Sequence, residues 1–270
     1  MREFEYCRVK TLGEALALLR EGVDSKLLAG GQSLLGAMKL GLMAPERLID
    51  LRDVAELRAQ RELGSGRLWL GAMQTHADLT RSPALRGFAP GMAALASHIA
   101  DEQVRSMGTL GGSLANADPA ACWPAGVLAL GARLKTDRRE IEVDDYFTGM
   151  FGTALEPDEI LCGLSFGKPR RMAYQKIEQM ASRFALVGVA VAQLDDGSAR
   201  VALTGTAQGA VRLPAFEAAL TRSFSPEALK GLKVDEELMS SDVHAPADYR
   251  AHLAAVLAAR TVEQALEMQQ

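Results

Sequence analysis

The chain has 270 residues, 48% hydrophobic and 24% charged, the balance of an ordinary globular protein long enough to bury a core without metals or disulfides. Its formal net charge of −4 and pI near 5.7 exclude a bulk electrostatic case for binding nucleic acid or an anionic membrane. Three cysteines, Cys7, Cys122 and Cys162, show no CxxC spacing. They fit a reducing compartment and cannot supply the four thiolates of an iron–sulfur cluster. No apolar run approaches the ~18 residues of a membrane span. The opening residues Met1 to Tyr6 carry no apolar h-region, so a cytoplasmic location is expected.

In chain order, residues 2–10 predict a strand, and Thr11 with Glu14 has the spacing of a capping box before a helix running to about Arg20. Residues 26–29 predict a strand that leads into Ala29-Gly30-Gly31-Gln32-Ser33-Leu34-Leu35. The run from Leu34 to Leu42 can start a helix or an irregular turn. Further strands are expected at 47–51 and 67–73. A helical tract follows, from about Leu79 to Ile99, which Pro83 and Pro90 must break. A second glycine-rich loop, Gly108-Thr109-Leu110-Gly111-Gly112-Ser113, precedes an apolar helix at 120–130, then a hairpin at 133–143 and a strand at 159–166. Residues 167–171 mark the domain boundary. Beyond them, strands at 172–178, 187–194 and 200–206 come before helices at 214–221, 226–231 and 246–268, an α+β order. The Asp196-Gly197 step between two of those strands signals a hairpin.

Common chemical signatures are missing: no G-x-G-x-x-G after a strand, no P-loop, no G-x-S-x-G elbow and no H-E-x-x-H. His76, His98, His244 and His252 are isolated and read as surface or satisfied core histidines. The two glycine segments remain. Each taken alone also reads as a tight turn between core elements. Together they could supply backbone N–H donors to a diphosphate, because paired glycines tolerate positive φ and carry no Cβ. A hydrogen bond to a charged acceptor contributes roughly 1.5–3 kcal/mol, so several would hold such a group without a basic residue.

These segments, with Met38-Lys39-Leu40, Ala117-Asp118-Pro119-Ala120-Ala121, Asp158-Glu159-Ile160-Leu161, Tyr174-Gln175-Lys176 and residues 181–188, resemble the FAD-binding medium subunit of molybdenum hydroxylases, the carbon monoxide dehydrogenase and xanthine dehydrogenase family. The resemblance implies an α+β fold. A vanillyl-alcohol-oxidase-type (PCMH-type) FAD-binding domain would span 1–167, with subdomains at about 1–55 and 56–167, and a smaller α+β domain would span 171–270. It implies that Ala29, Gly30, Gly31, Gln32, Ser33 and Leu34 hold the FAD diphosphate, and that Thr109, Gly111, Gly112 and Ser113 contact diphosphate, ribose or ribityl groups. Ile160 and Leu161 would pack on the ring systems, and Lys176, with Phe184, would reach the isoalloxazine. Two departures stand out. Gly36 replaces a frequent proline, and Cys122 replaces a frequent aspartate close to the flavin, with Asp118 four residues earlier. A thiol supplies no fixed charge there unless it ionises. No catalytic or metal-binding residue is expected in this chain. Its partners would be a small [2Fe–2S] subunit and a large molybdopterin subunit in a dimer of heterotrimers. The terminal acceptor would be NAD+, quinone or oxygen. A stand-alone flavin oxidoreductase of the same fold, and a scaffold subunit with weakened FAD binding, are the alternatives.

Overall fold

The computed structural model describes residues 2–268. Met1, Gln269 and Gln270, which belong to the expected domains, lie outside the described residues. The first subdomain runs β1 (Glu5–Arg8), α1 (Leu12–Leu19), β2 (Ser25–Leu28), α2 (Leu34–Lys39) and β3 (Arg47–Asp50). Its three strands form a parallel sheet in the order β1-β3-β2. Parallel neighbours need a crossover, and α2 supplies the one between β2 and β3. The central strand is buried throughout, as a parallel strand covered on both faces must be. The Thr11 hydroxyl accepts the Glu14 amide at 3.2 Å, as its spacing predicts, while the Glu14 carboxylate accepts from the Lys10 amide, one residue before the cap.

A 3-10 turn at Ala55–Arg58 opens the second subdomain. It continues as β4 (Gln60–Leu63), β5 (Arg67–Gly71), α3 (His76–Arg81), α4 (Pro83–Phe88), α5 (Pro90–Ser97), α6 (Glu102–Met107), α7 (Leu110–Asn116) and α8 (Cys122–Ala129). Then come β6 (Arg133–Thr136), β7 (Glu140–Glu142), α9 (Val143–Tyr146), β8 (Phe147–Gly149), β9 (Gly152–Thr153) and β10 (Leu161–Gly167). The main sheet is antiparallel, in the order β4-β5-β10-β6-β7. The helical tract breaks where the prolines require. Pro83 and Pro90 each occupy the first turn of a new helix, where a missing N–H costs nothing. The second glycine segment differs from its expectation: most of it is helix, and only Gly108 and Thr109 separate α6 from α7. Two adjacent glycines lower helix propensity and so read as loop. Here the Thr109 hydroxyl caps the Gly112 amide at 3.1 Å. The missing side chain of Gly111 lets α7 lie directly on Ala72, where an added Cβ would stand 2.4 Å from the Ala72 Cβ.

The last third contains β11 (Arg171–Glu178), β12 (Ala185–Gln193), β13 (Ala199–Thr204), β14 (Val211–Arg212), α10 (Pro214–Arg222) and α11 (Ala247–Glu267), with 3-10 turns at Pro226–Leu229 and Glu236–Leu238. The helix expected at 226–231 is thus only a short turn. The four strands form an antiparallel sheet in sequence order. Successive side chains of a strand face opposite ways. Val187, Val189, Val191, Val201 and Leu203 face a core shared with α10 and α11. Ala190, Ala192, Ala202, Met172 and Tyr174 face the other way, into one cluster with Trp123, Leu128 and Phe166. The break at 167–171 therefore separates two sheets, while one of the two cores, the cluster around Trp123, draws residues from both sides of it. Among the described residues, no helix is long and apolar enough to cross a membrane.

The segment at 117–122 ties the two parts together. Gly205 N–H donates to Pro119 O at 2.7 Å and Ala185 N–H to Ala120 O at 3.3 Å. The buried Thr204 hydroxyl donates to Pro119 O and, at 2.9 Å, to Ala121 O. Thr204→Val keeps the shape but leaves the Ala121 carbonyl unpaired. It should cost about 1–3 kcal/mol in chemical denaturation, more than the same substitution at an exposed threonine.

Candidate functional site

The two glycine segments, distant in sequence, touch backbone to backbone. A Cβ built on Gly30 would stand 2.3 Å from Met107 O and 2.6 Å from Gly108 Cα. One built on Gly112 would come within 3.3 Å of the Ala29 Cβ. The parallel sheet delivers Ala29 at the end of β2, and α6 delivers Gly108. Gly31 sits at φ +71, a conformation that side chains other than glycine rarely adopt. Among the described residues, the backbone amides of Gly30, Gly31, Gln32, Ser33 and Leu34 donate to no group of this chain. The Ser33 hydroxyl caps nothing, and the Gln32 side-chain amide turns back to Gly30 O at 3.2 Å. Unspent donors clustered on a glycine turn fit an anionic diphosphate.

The second segment contributes differently from its expectation. Gly111 N–H is spent on Ala72 O at 2.8 Å, Gly112 N–H on the Thr109 hydroxyl, and Ser113 N–H on Thr109 O at 3.0 Å. Its glycines serve close packing, and the amide donors come from the first segment. Thr109 is almost wholly buried, while Gly112 and Ser113 are half-buried. Ile160 and Leu161 are buried too: Ile160 packs with Val9, Ile49, Met73 and the flank of Ala29, whereas Leu161 belongs to the main core. Only Ile160 is thereby brought to the first segment.

At the other end, Asp118 accepts the Ala120 amide at 2.8 Å, and burial raises its carboxyl above the usual range. Cys122 opens α8 with its thiol buried against the Tyr174 hydroxyl. Desolvation pushes that thiol up, outweighing the nearby Lys176 ammonium and the Tyr174 hydroxyl, so the group is neutral at physiological pH. The Tyr174 hydroxyl, itself buried, makes no well-formed hydrogen bond. Lys176 also has a buried side chain. Its ammonium donates to Arg183 O at 2.5 Å and lies 3.4 Å from the Glu178 carboxylate. Phe184 is half exposed on the same loop.

The sequence read His76 as a surface or satisfied core histidine, and it is a core one, 5% exposed. What spacing could not show is its partner: Trp123 Nε1–H donates to His76 Nδ1 at 3.0 Å. Burial, with Arg105 nearby, pushes the imidazole down to about 4. The pairing was hidden because the two residues lie on helices far apart in the chain.

A glycine turn with unspent amides, set where a small parallel sheet meets the second subdomain, is a site suited to the anionic part of a cofactor. Residues 2–168 match the family described as FAD binding domain in molybdopterin dehydrogenase, and residues 172–265 match the CO dehydrogenase flavoprotein C-terminal domain. The chain belongs to this family of molybdopterin-dehydrogenase flavoproteins. It is 36% identical to a carbon monoxide dehydrogenase medium chain of Hydrogenophaga pseudoflava, over 97% of this chain and 96% of that one. It is also 36% identical to a nicotine 6-hydroxylase medium subunit of Paenarthrobacter nicotinovorans, over 96% of each. The solved structure of reconstituted CO dehydrogenase from Oligotropha carboxidovorans superposes with a TM-score of 0.91 at 33% identity, covering 99% of both chains.

Two outcomes follow from this geometry. Gly30→Ala drives a methyl group into the Met107 carbonyl, which cannot swing aside as a side-chain tip would. Purified protein should lose most of its flavin absorbance, and thermal unfolding should come earlier by roughly 1–3 kcal/mol. The second concerns acid. His76 is held neutral when folded and takes up a proton near pH 6.5 when unfolded. Its contribution is therefore intact above pH 6.5, falls between 6.5 and about 4, and is lost below that range. The loss amounts to about 3 kcal/mol and should disappear in urea titrations of His76→Asn.

Proposed function

We propose that this chain is the electron-transfer subunit of a molybdenum hydroxylase. It would bind FAD and stand between [2Fe–2S] clusters on a small partner subunit and a terminal acceptor, with substrate oxidised at a molybdenum cofactor on a large partner. The observation that carries the reading is the set of unspent amides at residues 30–34, held against Gly108. Bound FAD supplies the chemistry: it accepts electrons one at a time and delivers them in pairs. The chain's own residues bind and orient it. Ala29, Gly30, Gly31, Gln32, Ser33 and Leu34 would hold the diphosphate, with Thr109, Gly111, Gly112 and Ser113 as the adjoining wall. Asp118, Cys122 and Lys176 would border the isoalloxazine end, and Ile160 and Leu161 would back the ring systems from the core.

The surface supports this division of labour. Leu40 and Leu42, just past the end of α2, are about three-quarters exposed, an apolar edge suited to a partner subunit. Boundaries at 167 and 171, a reducing cytoplasmic setting and a dimer of heterotrimers complete the proposal. NAD+, quinone and oxygen remain the candidate acceptors.

The test is to purify the tagged native protein from its own host. Recovery of a yellow complex containing iron and molybdenum is the expected result. A flavin-bearing protein that emerges alone and oxidises NAD(P)H with a small substrate would instead make it a self-contained oxidoreductase, and a colourless one a scaffold. A second measurement probes Cys122. Cys122→Asp places a carboxylate beside the Tyr174 hydroxyl and near Lys176, and negative charge beside a reduced flavin disfavours reduction. The flavin midpoint potential should move downward in a spectroelectrochemical titration, whereas Cys122→Ser should leave it close to the parent value.

A further inference from the structure

We propose that His76 is a positioning residue of the FAD site: its imidazole, fixed on one edge by the Trp123 indole, braces Gly108 against Gly30 and so sets the spacing of the two glycine segments. The proposal rests on the FAD reading above.

The geometry runs in one line of contacts. An indole N–H only donates, so His76 Nδ1 must be the unprotonated acceptor at 3.0 Å, and the ring proton of the neutral form resides on Nε2. The Nε2 edge faces Gly108, where an added Cβ would stand 2.7 Å from Nε2 and 2.9 Å from Cδ2. His76 holds the same glycine a second time, through its backbone N–H to Gly108 O at 2.9 Å. On its far side Gly108 meets Gly30, whose unspent amide begins the anion turn. Trp123 follows Cys122 directly in α8. The ring therefore links the helix at the isoalloxazine end to the turn at the diphosphate end.

An apolar side chain of similar size could fill the space, but it would leave the buried indole N–H without an acceptor. Protonation does worse. A proton on Nδ1 sets donor against donor, and the ring must leave its place behind Gly108. The charged group facing the ring is Arg105 of α6, anchored on the Ile99 and Ala100 carbonyls at 2.8 Å; the Trp123 side brings no charge. FAD affinity should accordingly fall in acid by way of this one ring.

The experiment measures the FAD dissociation constant of the full-length chain by flavin fluorescence from pH 7.5 to 3.5, a range that spans the His76 titration, with circular dichroism confirming folded protein at each point. Wild type should show a single-proton loss of affinity toward acid. Trp123→Phe removes the donor that requires an unprotonated Nδ1, and should move that step upward by about one pH unit. His76→Asn places an amide oxygen where Nδ1 was; it should bind several-fold more weakly at pH 7.5 and lack the step. His76→Leu should bind more weakly still. Parallel pH profiles in wild type, Trp123→Phe and His76→Asn would overturn the proposal while leaving the FAD reading intact. Folded wild type that takes up no FAD at any pH would overturn the FAD reading instead. Should the His76 variants fail to fold, the wild-type indole N–H resonances decide the matter. That of Trp123 should shift when FAD is added, against Trp69 as the internal control, and an unmoved Trp123 signal would sink the proposal.

Discussion

The contact of Gly30 with the backbone at Met107 and Gly108 governs the architecture around it. The two main chains approach this closely because Gly30 carries no Cβ; one there would collide with Met107 O and Gly108 Cα. The first subdomain is a three-stranded parallel sheet, and the second is an antiparallel sheet with a helical layer, so they share no strand across the junction. What joins them is a shared apolar cluster, Val9, Ile49 and Leu51 with Met73 and Ile160, together with this close steric fit. Gly31 adopts its positive φ beside that contact, and the five amides from Gly30 to Leu34 enter no helix or sheet hydrogen bond. Buried amides without acceptors are expensive. Keeping these five at the half-exposed mouth of a junction is how the fold leaves them free for an anion.

The third sheet shows the same economy of volume. Its face toward the second subdomain carries alanines at 190, 192 and 202, while its opposite face carries valines and a leucine. Small residues bring the sheet close enough for the backbone of 117–122 to hydrogen-bond with Ala185, Thr204 and Gly205. That segment ends at Cys122. The start of α8 is thus held from both sides of the 167–171 break at once.

Much of this was legible in the sequence. Regular elements followed from periodicity, from the Thr11 cap, from Pro83 and Pro90 as helix starters and from the Asp196-Gly197 turn. The amide turn at residues 29–34 could be read because glycine is informative wherever backbone must do the binding. Other features were not legible, for physical reasons. Gly111 and Gly112 argued against a helix by propensity, yet tertiary contact with Ala72 and a side-chain cap won over a local cost of about 1 kcal/mol per glycine. Their amides are accordingly spent. The pairing of His76 with Trp123 depends on how α3 and α8 pack, and no spacing rule encodes that. The close approach of Gly30 to Gly108 is likewise a fact of packing between subdomains.

The electrostatics at residue 122 give the same lesson from the other side. An aspartate there would be the natural counter-charge to the buried Lys176 ammonium. With a neutral thiol in its place, Lys176 turns to the Glu178 carboxylate and the Arg183 carbonyl, both supplied by its own strand and the loop that follows. The charge balance is kept by a carboxylate on the same strand rather than by one on α8. The Tyr174 hydroxyl, which an aspartate could have accepted, is left facing sulfur without a well-formed bond. A buried hydroxyl without an acceptor costs stability. The buried positive charge of Lys176 therefore finds its compensation along its own strand, and the neutral thiol leaves residue 122 without the negative charge an aspartate would bring.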